Sequence, residues 1–300
     1  MRGKTLLLGG ALIALIALAY AYQGPLKKWQ DNLGKPKNIL SAFDAAKLDK
    51  IEIGAAAVIL EKQGNRWKTN LGKDFYADPE AISRLFSELS KASASDMELV
   101  SNSRERKNEF NTSDNGLTVK IYQAGKPLAE FVVGRRSGDY AATYVSGVNS
   151  AATYAVKADL FGAFNPADWR DPVIFSTDRS KINKIRFQYP NREFTVQLAG
   201  ENWSGVLPFK FSVNPDKIAP ILGLMSDLKA AKIPEQSFSG TGLEKHLIII
   251  EASDGGEDYI LMVGQEKDGL YYAKRGDSDN VYLISGEQRD QLDKWIWQLQ

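Results

Sequence analysis

The one histidine of the 300-residue chain, His246, opens the apolar segment "HLIIIEA", with Glu244 and Glu251 close by in sequence. An imidazole oriented by a carboxylate is the base that activates a serine, so this trio is the first place to look for acyl-transfer chemistry. No G-x-S-x-G elbow accompanies it, and a lone histidine at the edge of a strand needs no chemical role. The acidic stretches "SDGGED" (253–258) and "GDSDN" (276–280) invite a calcium loop. Such a loop needs oxygen ligands at its first, third and fifth positions, and from Asp277 the series runs Asp277, Asp279, Val281. Asp and Gly are also what hairpin turns demand. Phosphate cradles fare no better. Gly240-Thr241-Gly242 is followed by Lys245 where a dinucleotide fingerprint needs its last glycine, and "AGKP" (124–127) has Pro127 where a phosphate loop needs Ser or Thr. The chain has no cysteine, which excludes thiolate nucleophiles and Cys-based zinc sites, and a single histidine excludes two-His metal motifs. The expectation is therefore no catalytic residue, no cofactor and no metal. A hydrolase using paired carboxylates stays open, because such pairs leave no motif.

Aromatic and basic side chains are the remaining candidates. "GNRWKTN" and "GENWSGV" place Trp67 and Trp203 between small and polar residues, as sugar-stacking platforms or as core. Period-two alternation puts both rings on an inward face, with Thr69 beside Trp67 and with Arg66 and Lys68 opposite, which favours core. The stretch 101–115 is charged and strand-poor, and is expected as an exposed loop or short helix. Its Arg104, Arg106 and Lys107 are candidate contacts for an anionic lipid or peptide, the alternative being a solvated run. At the carboxyl end a helix over about 286–299 carries Leu292, Trp295, Ile296 and Leu299 as its apolar stripe. Trp297 falls off that stripe and is a candidate partner contact. Trp169 lies 128 residues earlier, the spacing of Tyr154 and Tyr282, so Trp169 and Trp297 are paired as candidates or as one structural position filled twice.

The elements that hold these residues are written twice. "LDKIEIG" (48–54) matches "INKIRFQ" (182–188), "VILEKQGNRWKTN" (58–70) matches "FTVQLAGENWSGV" (194–206), and "ADPEAISRLFSELSKA" (77–92) matches "VNPDKIAPILGLMSDL" (213–228). Farther on, "LAEFVVG" (128–134) answers "EDYILMVG" (257–264). Asp78 and Asn214 are N-cap residues followed by Pro79 and Pro215 at the first helical position. Ile82, Leu85, Phe86 and Leu89 then form a helical stripe, repeated 136 residues later by Ile218, Ile221, Leu222 and Met225. Pro220 is expected to kink the second helix or to start it irregularly. Around each helix, alternation and turn signals such as Ala124-Gly125 and Asp268-Gly269 predict three strands, a helix and a four-stranded meander. The fold class is α+β with antiparallel sheets, since the short turns leave no room for crossovers. The units are placed at 46–175 and 176–300.

Ahead of them, Met1-Arg2-Gly3-Lys4 precedes an uncharged run from Thr5 to Tyr22. In a helix, 18 such residues nearly span a hydrocarbon core of about 30 Å. A transmembrane anchor is expected over 1–22 and a linker over 23–45. The competing reading is a cleaved signal peptide, for which Ala19-Tyr20-Ala21 supplies a cleavage pattern. Lys27, Lys28, Lys35 and Lys37 beyond the run outnumber Arg2 and Lys4 before it, against the positive-inside rule, whereas the short basic head is that of an export signal. The preferred topology leaves the folded units outside the cytoplasmic membrane. Bulk charge is balanced, 38 basic against 37 acidic residues, so nucleic acid is not an expected partner.

The order "KIEI … VILEKQGNRWKTN … ADPEAISRLFSELS … FVVG … TYAV", its second copy, and "DWRDPVIF" (168–175) between them resemble the bacterial family called domain of unknown function 4340. The resemblance covers nearly all of the chain after the anchor. It implies a membrane-tethered extracytoplasmic accessory or scaffold protein working beside ABC-type transport components of the gliding-motility-associated kind. It carries over no catalytic residues. The alternative expectation is a binding module for an envelope glycan or peptide.

Overall fold

The structure, a computed structural model, describes residues 38–40, 44–55, 57–235, 238–245 and 247–300. The apolar run 5–22, most of the linker and His246 lie outside them. Among the described residues no helix is long and apolar enough to cross a bilayer. Two compact units form: the described residues up to Lys62 with Glu80–Ala167, and Gln63–Pro79 with Asp168–Gln300. The break falls at Ala167–Asp168 and not at 175/176, and residues 63–79 go with the second unit.

In the first unit, β1 (Leu48–Ile53) and β2 (Val58–Gln63) form one hairpin; β5 (Leu117–Gln123), β6 (Lys126–Arg136), β7 (Thr143–Gly147) and β8 (Thr153–Val156) form the meander. β4 (Met97–Ser101) was not expected; it joins the far edge, so the strands run β2-β1-β5-β6-β7-β8-β4, antiparallel throughout. One face of β1 buries Leu48, Ile51 and Ile53. The other keeps Lys50 at 2.9 Å from Glu52, the wet face that antiparallel sheets permit. Helix α1 (Pro79–Ala94) buries Ile82, Leu85 and Leu89, as its stripe predicts, and α2 (Leu160–Phe164) sets Phe164 edge-on to Phe131 at 6.0 Å.

The second unit takes in β3 (Arg66–Thr69), then β9 (Val173–Ser176), β10 (Lys184–Tyr189), β11 (Arg192–Ala199), β12 (Asn202–Leu207) and β13 (Phe211–Ser212). Helix α3 (Pro215–Ser226) and β14 (Asp227–Lys229) precede the meander β15 (Ile248–Ser253), β16 (Asp258–Lys267), β17 (Leu270–Arg275) and β18 (Tyr282–Ser285). Its sheet runs β13-β12-β11-β10-β15-β16-β17-β18, in which β11-β10-β15-β16-β17-β18 repeats the order β2-β1-β5-β6-β7-β8 of the first unit. The Asn214 side chain accepts from the Asp216 N–H at 2.9 Å and so caps α3. The helix runs through Pro220 uninterrupted; its irregularity sits in the first turn, where the Lys217 N–H reaches Asn214 O three residues back. Ile218, Ile221, Leu222 and Met225 are all buried.

The repeat also begins earlier than the matched strands. Asp178 accepts from Ser180 N in the 3-10 turn Arg179–Lys181, and Asp44 accepts from Ala46 N in the 3-10 turn Ala45–Lys47. Upstream of each turn the chain grips the end of its own copy's helix. Asn38 Nδ2 donates to Ala92 O and Ser95 O, while β9 pairs with β14 and the Thr177 N–H donates to Ser226 O. "DPVIF" is thus the entry to the second copy, which is why it belongs to the second unit.

Candidate functional site

Burial sorts the candidates. Trp67 is buried with Thr69, and Trp203 is half-buried against the core of the second unit that includes Ile218 and Ile221. Trp169 is 4% exposed, so it is a core residue and not a contact. The 101–115 stretch forms the 3-10 turn Glu105–Phe110 and packs down more than its charge suggests. Phe110 meets Tyr144 edge-on at 4.9 Å, and Lys107 is buried, its Nζ donating to Ser150 O at 3.0 Å. Burial, and after it the nearby Arg104, lowers the Lys107 ammonium from its usual range. That removes Lys107 as a surface contact. Arg104 remains exposed, and exposed Arg106 is held by Glu109 at 2.9 Å.

The acidic stretches are turns with their oxygens in use. Asp254 Oδ1 accepts from the Gly256 and Glu257 N–H groups, and Asp277 pairs with Arg275 at 2.7 Å. Glu244 accepts from Gly240 N, and Glu251 faces Arg186 at 3.7 Å. Both carboxylates that lie close to His246 in sequence have other partners.

A cavity of about 950 Å³ in the second unit is edged by Asp74, Phe75, Arg170, Glu235 and Asp277. Most of the charges on its edge are already paired. Arg170, 7% exposed, donates to Asp168, Glu235, Ile233 O and Pro234 O. Asp74 holds Lys68 at 2.9 Å. A cluster whose donors are spent on itself fixes loops and has little left for a ligand.

The carboxyl end differs. The expected helix over 286–299 is two, α4 (Gly286–Leu292) and α5 (Ile296–Leu299), with a break at Asp293-Lys294-Trp295. The break has a cause. The buried Tyr189 hydroxyl donates to Leu292 O at 2.7 Å and accepts from Lys294 N at 2.9 Å, taking groups that a continuing helix would pair internally. Burial pushes that phenol up to about 12. Arg192 lies 3.7 Å from the Tyr189 ring centroid and 4.2 Å from that of Trp295, and its guanidinium also pairs with Asp293. Trp295 therefore leaves the core stripe and is 47% exposed over Arg192, while Leu292 and Leu299 are fully buried.

After the break, Trp297 stands 69% exposed beside a groove of about 540 Å³, lined with it by Lys217, Pro220, Gln291, Lys294 and Gln298. The spacing of 128 residues had made Trp297 the partner of Trp169, but the backbone pairs them otherwise. Asp78 N donates to Trp169 O at 2.8 Å, and the equivalent cap residue, Asn214, donates through its N–H to Leu299 O at 2.7 Å. Trp169 thus corresponds to Leu299, both buried. At the same offset Trp297 falls opposite Ala167, so the first copy has no aromatic at this position. Its off-stripe position was legible in the sequence; Pro220 and Gln291 as its neighbours were not, because α3 and α4 are brought together only by the fold.

Two antiparallel α+β copies built on one strand order define a duplicated domain. The family profile described as Domain of unknown function (DUF4340) matches residues 67–234 and again 203–296, its two matches starting on Trp67 and Trp203. The chain belongs to that family. No curated protein and no solved structure matches it.

Proposed function

We propose that the chain is a non-enzymatic accessory protein, tethered to the cytoplasmic membrane by residues 5–22 with its folded units outside, and that it offers the Trp297 groove to a transporter-like membrane complex of the ABC type. The observation that carries this reading is Trp297 itself: a large aromatic 69% exposed on a position that the repeat does not require. An exposed tryptophan beside a proline face with flanking lysines and amides has the composition of an interface hot spot. The test is a photoreactive phenylalanine at position 297, with position 140 as control, in intact membranes. A membrane-protein adduct from 297 and none from 140 is expected. Recovery of the chain alone from both would overturn the proposal.

A second reading rests on the same groove. Gln291, Gln298 and Asp216 around a bare indole are also the groups that hold a sugar ring. Quenching of tryptophan fluorescence by envelope glycan fragments, abolished in Trp297→Ala with folding intact, would favour it over a protein partner.

A further inference from the structure

Of the large hydrophobic residues exposed among the described residues, Leu99, Tyr140, Val148 and Leu247 stand singly. Leu207 and Phe209 do not: each is 57% exposed, and with Pro208 and Lys210 they make four consecutive exposed residues joining β12 to β13. The loop is fixed at its base, where Leu207 pairs with Thr195 on β11 and the Phe209 ring meets the buried Phe211 ring at 5.9 Å. β11 begins at Arg192, three residues before Thr195, so exposed Trp295, stacked over Arg192, belongs to the same end of the sheet.

We infer that this loop, with Trp295 beside it, is a second contact with the bilayer, seated at the boundary of headgroups and acyl chains and drawn to anionic lipid. Apolar tips on a short exposed turn suit a soft surface, which needs no matching pocket, and an aromatic beside a cation is the usual occupant of the headgroup level. The charge at this end supports an anionic surface. Asp293 is taken by Arg192 and Arg289, and Asp290 by Arg289, which leaves Lys210, Lys217 and Lys294 against Asp216. The inference rests on the anchor read at 5–22. Residues 23–37 would then hold the folded chain within about 50 Å of the bilayer, at millimolar effective concentration, so weak partitioning suffices.

The absence of native cysteine makes the test direct. Full-length Phe209→Cys and, as control, Tyr140→Cys are each labelled with an environment-sensitive fluorophore. They are mixed with phosphatidylcholine vesicles, with or without about one third phosphatidylglycerol; flotation reads the anchor and emission reads the loop. The expected result is flotation with both lipids, and a blue-shifted label at 209, quenched by doxyl lipid, that strengthens severalfold with phosphatidylglycerol while 140 stays in water. A chain that floats with both lipids while its label at 209 behaves as at 140 overturns the loop contact and leaves the anchor standing. Flotation only with phosphatidylglycerol, with the shift at 209, overturns the anchor and upholds the loop. Flotation with neither overturns both. Leu207→Glu, Phe209→Glu in the labelled Trp295→Cys chain should lower the emission shift at 295 about tenfold; an unchanged shift there would also refute the loop.

Discussion

The two copies share a plan and part at their ends. In the first, the carbonyl bonded to the helix-cap residue belongs to Trp169; in the second it belongs to Leu299, and both side chains are buried. The second copy then carries what the first lacks, a helix broken by Tyr189 and a bare Trp297 beyond the break. Duplication makes this informative. Where both copies keep a feature, the fold suffices to explain it; where only one has it, the fold does not. The same contrast separates Trp67 and Trp203, kept in both and turned inward, from Leu207 and Phe209, which face water in the second.

The deepest common feature is a glycine. Strand β6 slips register between Val133 and Arg136 and β16 between Val263 and Glu266, so each strand bulges just after its "VVG" or "MVG". The preceding loop lies across that bulge. A Cβ on Gly134 would stand 2.2 Å from Phe110 O, and one on Gly264 would stand 2.3 Å from Thr241 O. A backbone carbonyl cannot swing aside as a side-chain tip can. Gly134→Val and Gly264→Val should each cost about 4 kcal/mol or more and leave little folded protein, as read by denaturant unfolding. If one copy accepts valine, the bulge is not a shared device. Next in size, Trp169→Ala and Leu299→Ala should each lose about 2–5 kcal/mol, as equivalent core deletions do. A near-neutral Leu299→Ala would restore the pairing of Trp169 with Trp297.

The shared part of the fold was legible and the unshared part largely was not, for a physical reason. Caps, prolines, helical stripes and turn glycines act over three to seven residues, and Ile218 to Met225 lie where that spacing puts them. The break in the last helix depends on Tyr189, about a hundred residues away, and no local pattern announces it. Lys107 fails similarly: a basic run reads as solvated, yet the Ser150 carbonyl gives this one ammonium a partner indoors. The glycines of "FVVG" and "LMVG" were visible as a match, but the carbonyl above each belongs to a loop whose path the sequence does not trace.

Tyr189 sharpens the comparison through pH. Its phenol is raised to about 12 by burial, whereas in the unfolded chain it titrates near 10. Between those values the unfolded chain loses a proton that the folded chain keeps, so stability falls as pH rises, by about 1.4 kcal/mol per unit and roughly 2–3 kcal/mol in all. Below pH 10 the group contributes no pH dependence. Tyr189→Phe keeps the ring and drops the proton, so its unfolding free energy should fall less between pH 9 and pH 12 than that of the parent. Parallel loss in both would mean that the phenol is ionised or solvated when folded, and that something else breaks the helix.

The smallest expected effect on stability decides most about function. Trp297 buries little, so Trp297→Ala should shift unfolding by no more than about 0.5 kcal/mol, the ordinary range for an exposed site. Its neighbour Leu299, two residues on and fully buried, supplies the internal standard in the same short helix. A stable Trp297→Ala protein that no longer forms the membrane adduct would place the indole at a contact. A loss of several kcal/mol would instead mean that the ring packs in solution as Leu299 does, and the groove would lose its claim to be a site. The two substitutions together ask whether the second copy has an aromatic that folding does not need, and an aromatic that folding does not need is kept only by what it touches.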